Sequence, residues 1–201
     1  MDMILEAIQE MHWAEVAGVI SGLIYVLLAA KENIWCWFWG ILNAILSIYL
    51  FFEIKLYAES GLYVFYFFAG IYGWYAWKYV RRVSTLHAIV EWSWTKHLLL
   101  IGIGLILSWI CYWGLSSFTD AQKPLIDAHT TIFSFLATYM VTRKVHSNWI
   151  YWIVIDAVSV WLYATRGLYL YALLMVLYTV IAVYGYWSWQ KLKEKSFLPV
   201  S

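Results

Sequence analysis

Trp149, Trp152 and Asp156 are spaced i, i+3 and i+7. At 3.6 residues per turn, two indoles and a carboxylate then share one helix face about 60° wide. Ser159 and Tyr163 continue the stripe. Indole faces attract a flat cationic ring by cation–π contact, and the carboxylate neutralises it. The same carboxylate can accept hydrogen bonds from ribose hydroxyls or an aminopyrimidine. Trp149 lies close to Arg143 and Lys144, so an interfacial aromatic belt explains it equally well. Asp156 has no comparable structural excuse. An ionisable group two turns into an apolar run is expensive and is by default a functional candidate. A structural ion pair would need a basic partner, and no span interior holds Lys or Arg. Asn43, with Trp39 four residues before it, is the candidate opposite wall; a helix–helix hydrogen bond is its equal alternative.

The elements that must position these groups are membrane spans. The 201 residues are 64% hydrophobic and 21% aromatic but only 12% charged. A soluble domain carries about 25% charged residues, so half that value indicates an integral membrane protein. Seven apolar stretches of roughly span length occur at 14–30, 34–52, 61–79, 97–115, 125–142, 148–164 and 168–189. All seven are expected to be helices, because an open sheet cannot satisfy its backbone in lipid. The N-terminal segment carries Asp2, Glu6 and Glu10 and no basic region, unlike a cleaved signal peptide. Its Ile4, Leu5, Ile8 and Met11 can form one face of a short interfacial helix or belong to a frayed end.

Charge placement sets orientation. With seven spans, one set of loops holds Lys31, Lys78, Arg81, Arg82, Lys96, Arg143, Lys144, Lys191, Lys193 and Lys195; the other holds Lys55, Lys123 and Arg166. Ten against three places the N-terminus outside and the C-terminus in the cytoplasm. The net charge of +1 gives no reason to expect a nucleic-acid partner. Cys36 and Cys111 lie in apolar segments, where a structural disulfide is not expected.

The chain also repeats itself. Trp39 and Asn43 stand where Trp152 and Asp156 stand, Leu56-Tyr57 answers Leu168-Tyr169, and Tyr72-Gly73-Trp74 answers Tyr184-Gly185-Tyr186, at offsets of 112–113 residues. An offset of four helices gives both copies one orientation: repeat one at about 14–79, a linker helix at about 97–115, repeat two at about 125–189. Parallel repeats place a transporter's substrate near the midplane between the halves. Position 36 is Cys where full symmetry would require Trp.

Several functions are excluded or weakened. No G-x-x-x-x-G-K-[ST] is present, so this chain does not hydrolyse ATP through a P-loop. A retinal protein needs a Schiff-base lysine in its last span, and 168–189 has none. His129 and Asp127 open the fifth span, but no second histidine lies deep enough to complete a metal or haem pair, so no cofactor is expected. A membrane-embedded enzyme using Asp156 and His129 would draw them from different helices. Gly18 and Gly22 form a GxxxG, which reads as close helix packing.

The residues carry a family resemblance. The W-x-x-W-x-x-x-D stretch (Trp149, Trp152, Asp156), the preceding Thr142-Arg143-Lys144 and the following Gly167-Leu168-Tyr169 resemble PnuC-type vitamin transporters, as do Lys55-Leu56-Tyr57-Ala58 and Tyr72-Gly73-Trp74-Tyr75-Ala76-Trp77. The likeness runs from about residue 14 to 190. It implies an all-α integral membrane bundle of 3+1+3 helices resembling full-length SWEET transporters. It also implies facilitated diffusion of nicotinamide riboside across a bacterial inner membrane, with a cytosolic kinase trapping the product. The family's motif puts Trp149, Trp152 and Asp156 at the substrate. Similar relatives carry thiamine, whose thiazolium is also a flat cation, so both vitamins remain open. Coupling to protons through Asp156 and a homo-oligomeric state also remain open.

Overall fold

The structure, a computed structural model, describes residues 13–53, 57–80, 89–119, 123–165 and 169–196. These residues form seven α-helices: α1 (Trp13–Ala30), α2 (Cys36–Glu53), α3 (Tyr57–Tyr75), α4 (Trp94–Phe118), α5 (Pro124–Thr142), α6 (Asn148–Thr165) and α7 (Tyr169–Ser196). A π-helical turn, Ala76–Val80, extends α3. Each expected span coincides with one helix. The largest difference is at α7, which continues past 189. Its tail is polar but helix-favouring, and Gln190 Nε2 donates to Glu194 Oε1 one turn on at 2.8 Å. By length and composition, α4 and the Tyr171–Glu194 stretch of α7 can cross a membrane, and Val16–Ala30 and Cys36–Leu50 are shorter apolar stretches. The interfacial helix expected around Ile4 to Met11 lies outside the described residues, as do Leu56, Gly167 and Leu168.

The chain divides into two compact units, Met1–His87 and Ala88–Ser201. In the first, α2 packs against both α1 and α3. In the second, α4 packs on α5, α5 on α6 and α6 on α7. Helix α4 is the least covered: of its 25 residues only Gly104 and Ser108 are buried, while Ile106, Trp109 and Trp113 are exposed. Gly104 permits the contact with α5, since a Cβ there would fall 2.8 Å from Leu136 Cδ1 and 3.0 Å from Phe133 Cζ.

The turn between α1 and α2 recurs between α5 and α6. Each first helix ends on a residue in the left-handed region, Glu32 at φ 56° and Lys144 at φ 53°. Around Glu32, Asn33 N–H donates to Leu28 O (2.9 Å) and Glu32 N–H to Ala29 O (2.9 Å). Around Lys144, Val145 N–H donates to Met140 O (3.0 Å) and Lys144 N–H to Val141 O (2.9 Å). This is the Schellman arrangement, which satisfies carbonyls that a helix end leaves orphaned. The next helices start alike, Cys36 N–H donating to Asn33 O and Asn148 N–H to Val145 O, both at 3.0 Å.

One turn further, each unit places a tryptophan in a glycine socket. Trp37 meets Trp77 edge-on, with centroids 5.4 Å apart at 87°, and Trp149 meets Trp189 at 5.4 Å and 88°. A Cβ on Gly73 would lie 2.5 Å from Trp37 ring carbons, and one on Gly185 would lie 2.7 Å from those of Trp149. Every one of these pairs is offset by 112 residues. That corrects the alignment expected at 113: Trp37, not Cys36, matches Trp149, while Cys36 matches Asn148. Likewise Gly40 and Ala44 match Trp152 and Asp156; Trp39 and Asn43 do not. A one-residue shift turns a helix by about 100°, so only the geometry of caps and sockets separates the two alignments.

Candidate functional site

Helix α6 begins at Asn148, immediately after Ser147, whose backbone carbonyl accepts from Ile150 N–H at 3.1 Å. The Ser147 hydroxyl is hydrogen-bonded to His97 Nε2 (3.1 Å), and His97 Nδ1 to the Tyr151 hydroxyl (3.0 Å). These bonds tie the start of α4 to the start of α6. From there the helix has two faces. Ile150, Val154, Ala157, Val158 and Trp161 are exposed, whereas Trp149, Asp156 and Ser159 are buried and Trp152 and Tyr163 half-buried. The stripe expected from spacing is thus the covered face.

Its members differ in what they are free to do. Trp149 is 2% exposed, with Gly185 and Trp189 against its indole, so it holds α6 to α7. Its Nε1, like that of Trp37, is buried without a hydrogen-bond acceptor among the described residues. Tyr163 tilts against Tyr171 at 5.7 Å. Ser159 donates its hydroxyl to Ile155 O (2.9 Å), which leaves only lone pairs for anything else. Trp152 makes no hydrogen bond or ring contact with any described residue. Asp156 is 5% exposed and has no hydrogen bond or ion pair with any described residue. One turn apart, these two side chains have Cβ atoms about 5–6 Å from each other. Of the stripe, the Trp152 indole and the Asp156 carboxylate are the side chains left without a described hydrogen-bond or ring partner.

In the first unit, the Asn43 amide donates to Gly18 O at 2.7 Å, so Asn43 crosslinks α2 to α1. Trp39 is half-buried, edge-on to Phe38. At the start of α5, His129 Nδ1 donates to Leu125 O at 2.7 Å. Among the described residues no three His, Cys, Asp or Glu side chains gather as a metal site.

Sequence reasoning missed a cluster at the α5–α6 turn. Val90 N–H donates to Lys144 O (3.0 Å), and His146 N–H donates to Val90 O (2.9 Å). Glu91 beside them accepts from Lys193 Nζ and stands 3.6 Å from His146 Nδ1, while His146 Nε2 donates to Tyr186 O at 3.0 Å. The Lys193 ammonium holds the Glu91 carboxyl below the usual carboxylate range. Glu91 and Lys193 are 102 residues apart, and no local pattern joins them. Asn148, fully buried, also escaped notice: its Nδ2 donates to Val145 O at 2.7 Å and its Oδ1 has no partner among the described residues.

Two helices long and apolar enough to cross a membrane, and an acid buried in α6 with no described partner, are features found in membrane proteins. Comparison narrows the class. The model of the nicotinamide mononucleotide transporter family matches residues 12–191, and the chain belongs to that family. It is 31% identical over 206 residues to the nicotinamide riboside transporter PnuC of Escherichia coli K12, covering 90% of this chain and 86% of that one. It is 22% identical over 197 residues to the riboflavin/roseoflavin transporter RibM of Streptomyces davaonensis, covering 96% and 91%. A crystal structure of the vitamin B3 transporter PnuC superposes with a TM-score of 0.77 at 20% identity, over 96% of this chain and 87% of that one, so the two share a fold.

Proposed function

We propose that this chain is an uptake carrier for nicotinamide riboside that works by facilitated diffusion and has no enzymatic activity of its own. The observation that carries the reading is the 31% identity, over nine-tenths of the chain, to a protein named for that transport. The α6 face is consistent with it. Trp152 and Asp156 form the recognising pair, with Ser159 and Tyr163 continuing the face and Trp149 holding α6 in place behind it.

The carrier sits in a bacterial inner membrane with its N-terminus outside and its C-terminus in the cytoplasm, the arrangement favoured by the Lys and Arg bias. Two three-helix repeats flank α4 as a 3+1+3 bundle similar to SWEET transporters; the shared caps and tryptophan sockets at 112 residues support this. Rocking of the repeats about a midplane site alternates access. A cytosolic kinase phosphorylates the arriving riboside, which keeps the gradient inward.

Uptake of labelled nicotinamide riboside by cells lacking their own carrier tests the proposal, with thiamine and riboflavin as competitors. Accumulation that requires this chain and an intact kinase is expected. Uptake of thiamine or riboflavin alone would transfer the reading to that vitamin. Collapse of uptake on dissipating the proton gradient, in cells still able to phosphorylate the riboside, would replace facilitation by proton coupling.

A further inference from the structure

His97 stands in the first turn of α4 with a hydroxyl group at hydrogen-bond distance from each ring nitrogen. Its Nε2 lies 3.1 Å from Ser147 Oγ and its Nδ1 lies 3.0 Å from the Tyr151 hydroxyl. Ser147 and Tyr151 are spaced i, i+4, so both project from one side of the start of α6. A neutral imidazole donates from one nitrogen and accepts at the other, while hydroxyls do either. Both bonds are therefore satisfied in either tautomer. The ring also stacks on Tyr151, with centroids 5.8 Å apart at 28°.

The residues leading into α4 are held on the same unit. Val90 forms a parallel bridge with Val145 of the α5–α6 turn, and Glu91 takes the Lys193 ammonium of α7. Trp92 lies between the His97 ring, 6.0 Å away, and the Tyr139 ring of α5, 6.4 Å away. Each of α5, α6 and α7 thus helps to fix the start of α4. In the first unit, the places of Ser147 and Tyr151 are taken by Trp35 and Trp39, and Trp35 packs edge-on against Trp74 at 5.5 Å. Of the two units, the one that carries a fourth helix is the one with hydroxyls at these places.

A linker helix without such contacts would shift freely against either repeat as the repeats rock. We propose that His97 is a positioning residue that staples α4 to the start of α6, so that α4 to α7 move as one four-helix body during transport. The inference rests on the transport reading above and reduces three moving parts, repeat, linker and repeat, to two. Tyr151 immediately precedes Trp152, so the same staple fixes the rotation of α6 about its axis.

Entrance counterflow of labelled nicotinamide riboside into proteoliposomes tests the staple, with thiamine and riboflavin run alongside. The full-length protein carries His97→Cys with Ser147→Cys, in a background where Cys36 and Cys111 are replaced by Ala. The reduced pair should transport about tenfold more slowly than the background, the effect of losing two ordinary hydrogen bonds. The half-saturating concentration should stay unchanged, because the substrate contacts are intact. Closing the pair with a short bis-methanethiosulfonate bridge should restore the background rate, and reductant should reverse the gain. A protein that had merely lost its fold would not recover on bridging. Arrest by the bridge overturns the proposal, since α4 must then shift against α6. A bridge that leaves the rate low overturns it too, as does a reduced pair already as fast as the background. No counterflow of any of the three vitamins by the wild-type protein overturns the transport reading and this proposal together.

Discussion

The two units share one framework and differ in one patch. Glu32 and Lys144 cap the same turn, Trp37 and Trp149 fill the same glycine socket, and Ser47 and Ser159, a further ten residues along, are both 8% exposed. Between socket and serine the likeness fails. The first unit has Gly40 and Ala44, with the Tyr25 ring packed so closely on Gly40 that a Cβ would lie 2.9 Å from it. The second has Trp152 and Asp156, with Ala137 at the place of Tyr25. Bulk has moved from the first helix of the repeat to the second, from a ring that fills space to one that has no ring partner among the described residues. The framework is therefore common to both units, and the two positions that differ most lie where one helix's bulk can replace another's.

The strongest way to break the comparison is to empty both sockets. Trp37→Ala and Trp149→Ala should each cost about 3–5 kcal/mol, read as similar losses in melting temperature. If Trp149→Ala instead leaves stability intact and abolishes binding, Trp149 is a ligand contact rather than a packing residue. A smaller effect comes from filling the sockets. Gly73→Ala and Gly185→Ala should each destabilise by about 1–3 kcal/mol, because the methyl group needs space the indole occupies. A response from only one of the two would show that the sockets are not equivalent.

Asn43→Ala sharpens the contrast, since its crosslink to Gly18 has no partner in the second unit, where Ile155 stands at the matching position. The loss should be about 1 kcal/mol, with ligand selectivity unchanged. The smallest effect belongs to Glu91, whose pKa is lowered chiefly by its hydrogen bond to Lys193. A group with a lowered folded pKa stabilises above its unfolded value, near 4.5, and loses that contribution as pH falls through the folded value. Because Glu91 is 56% exposed, Glu91→Gln should cost only a few tenths of a kcal/mol at neutral pH. Thermal melts of the two proteins should converge as the pH is taken well below 4.

Much of this was legible in the chain. Seven apolar runs separated by Lys, Arg, Glu and Pro read directly as helices, because lipid forces backbone hydrogen bonds to close within each segment. The covered face of α6 was legible too, since helical periodicity alone puts Trp149, Trp152, Asp156, Ser159 and Tyr163 together. The alignment of the repeats was not. Aromatic-rich helices satisfy an offset of 113 as readily as 112, and the capping hydrogen bonds that decide it are invisible in letters.

The sequence by itself determined where the helices run, which side of α6 turns inward, and that a costly carboxylate sits midway along it. These follow from local periodicity and from the price of charge in an apolar run. Only the tertiary structure decided that Trp149 is held by Gly185 and Trp189 while Trp152 has no ring partner among the described residues, and that no described residue of the second unit neutralises Asp156. Those facts depend on which residues on other helices come into reach, and that is set by packing between segments far apart in the chain.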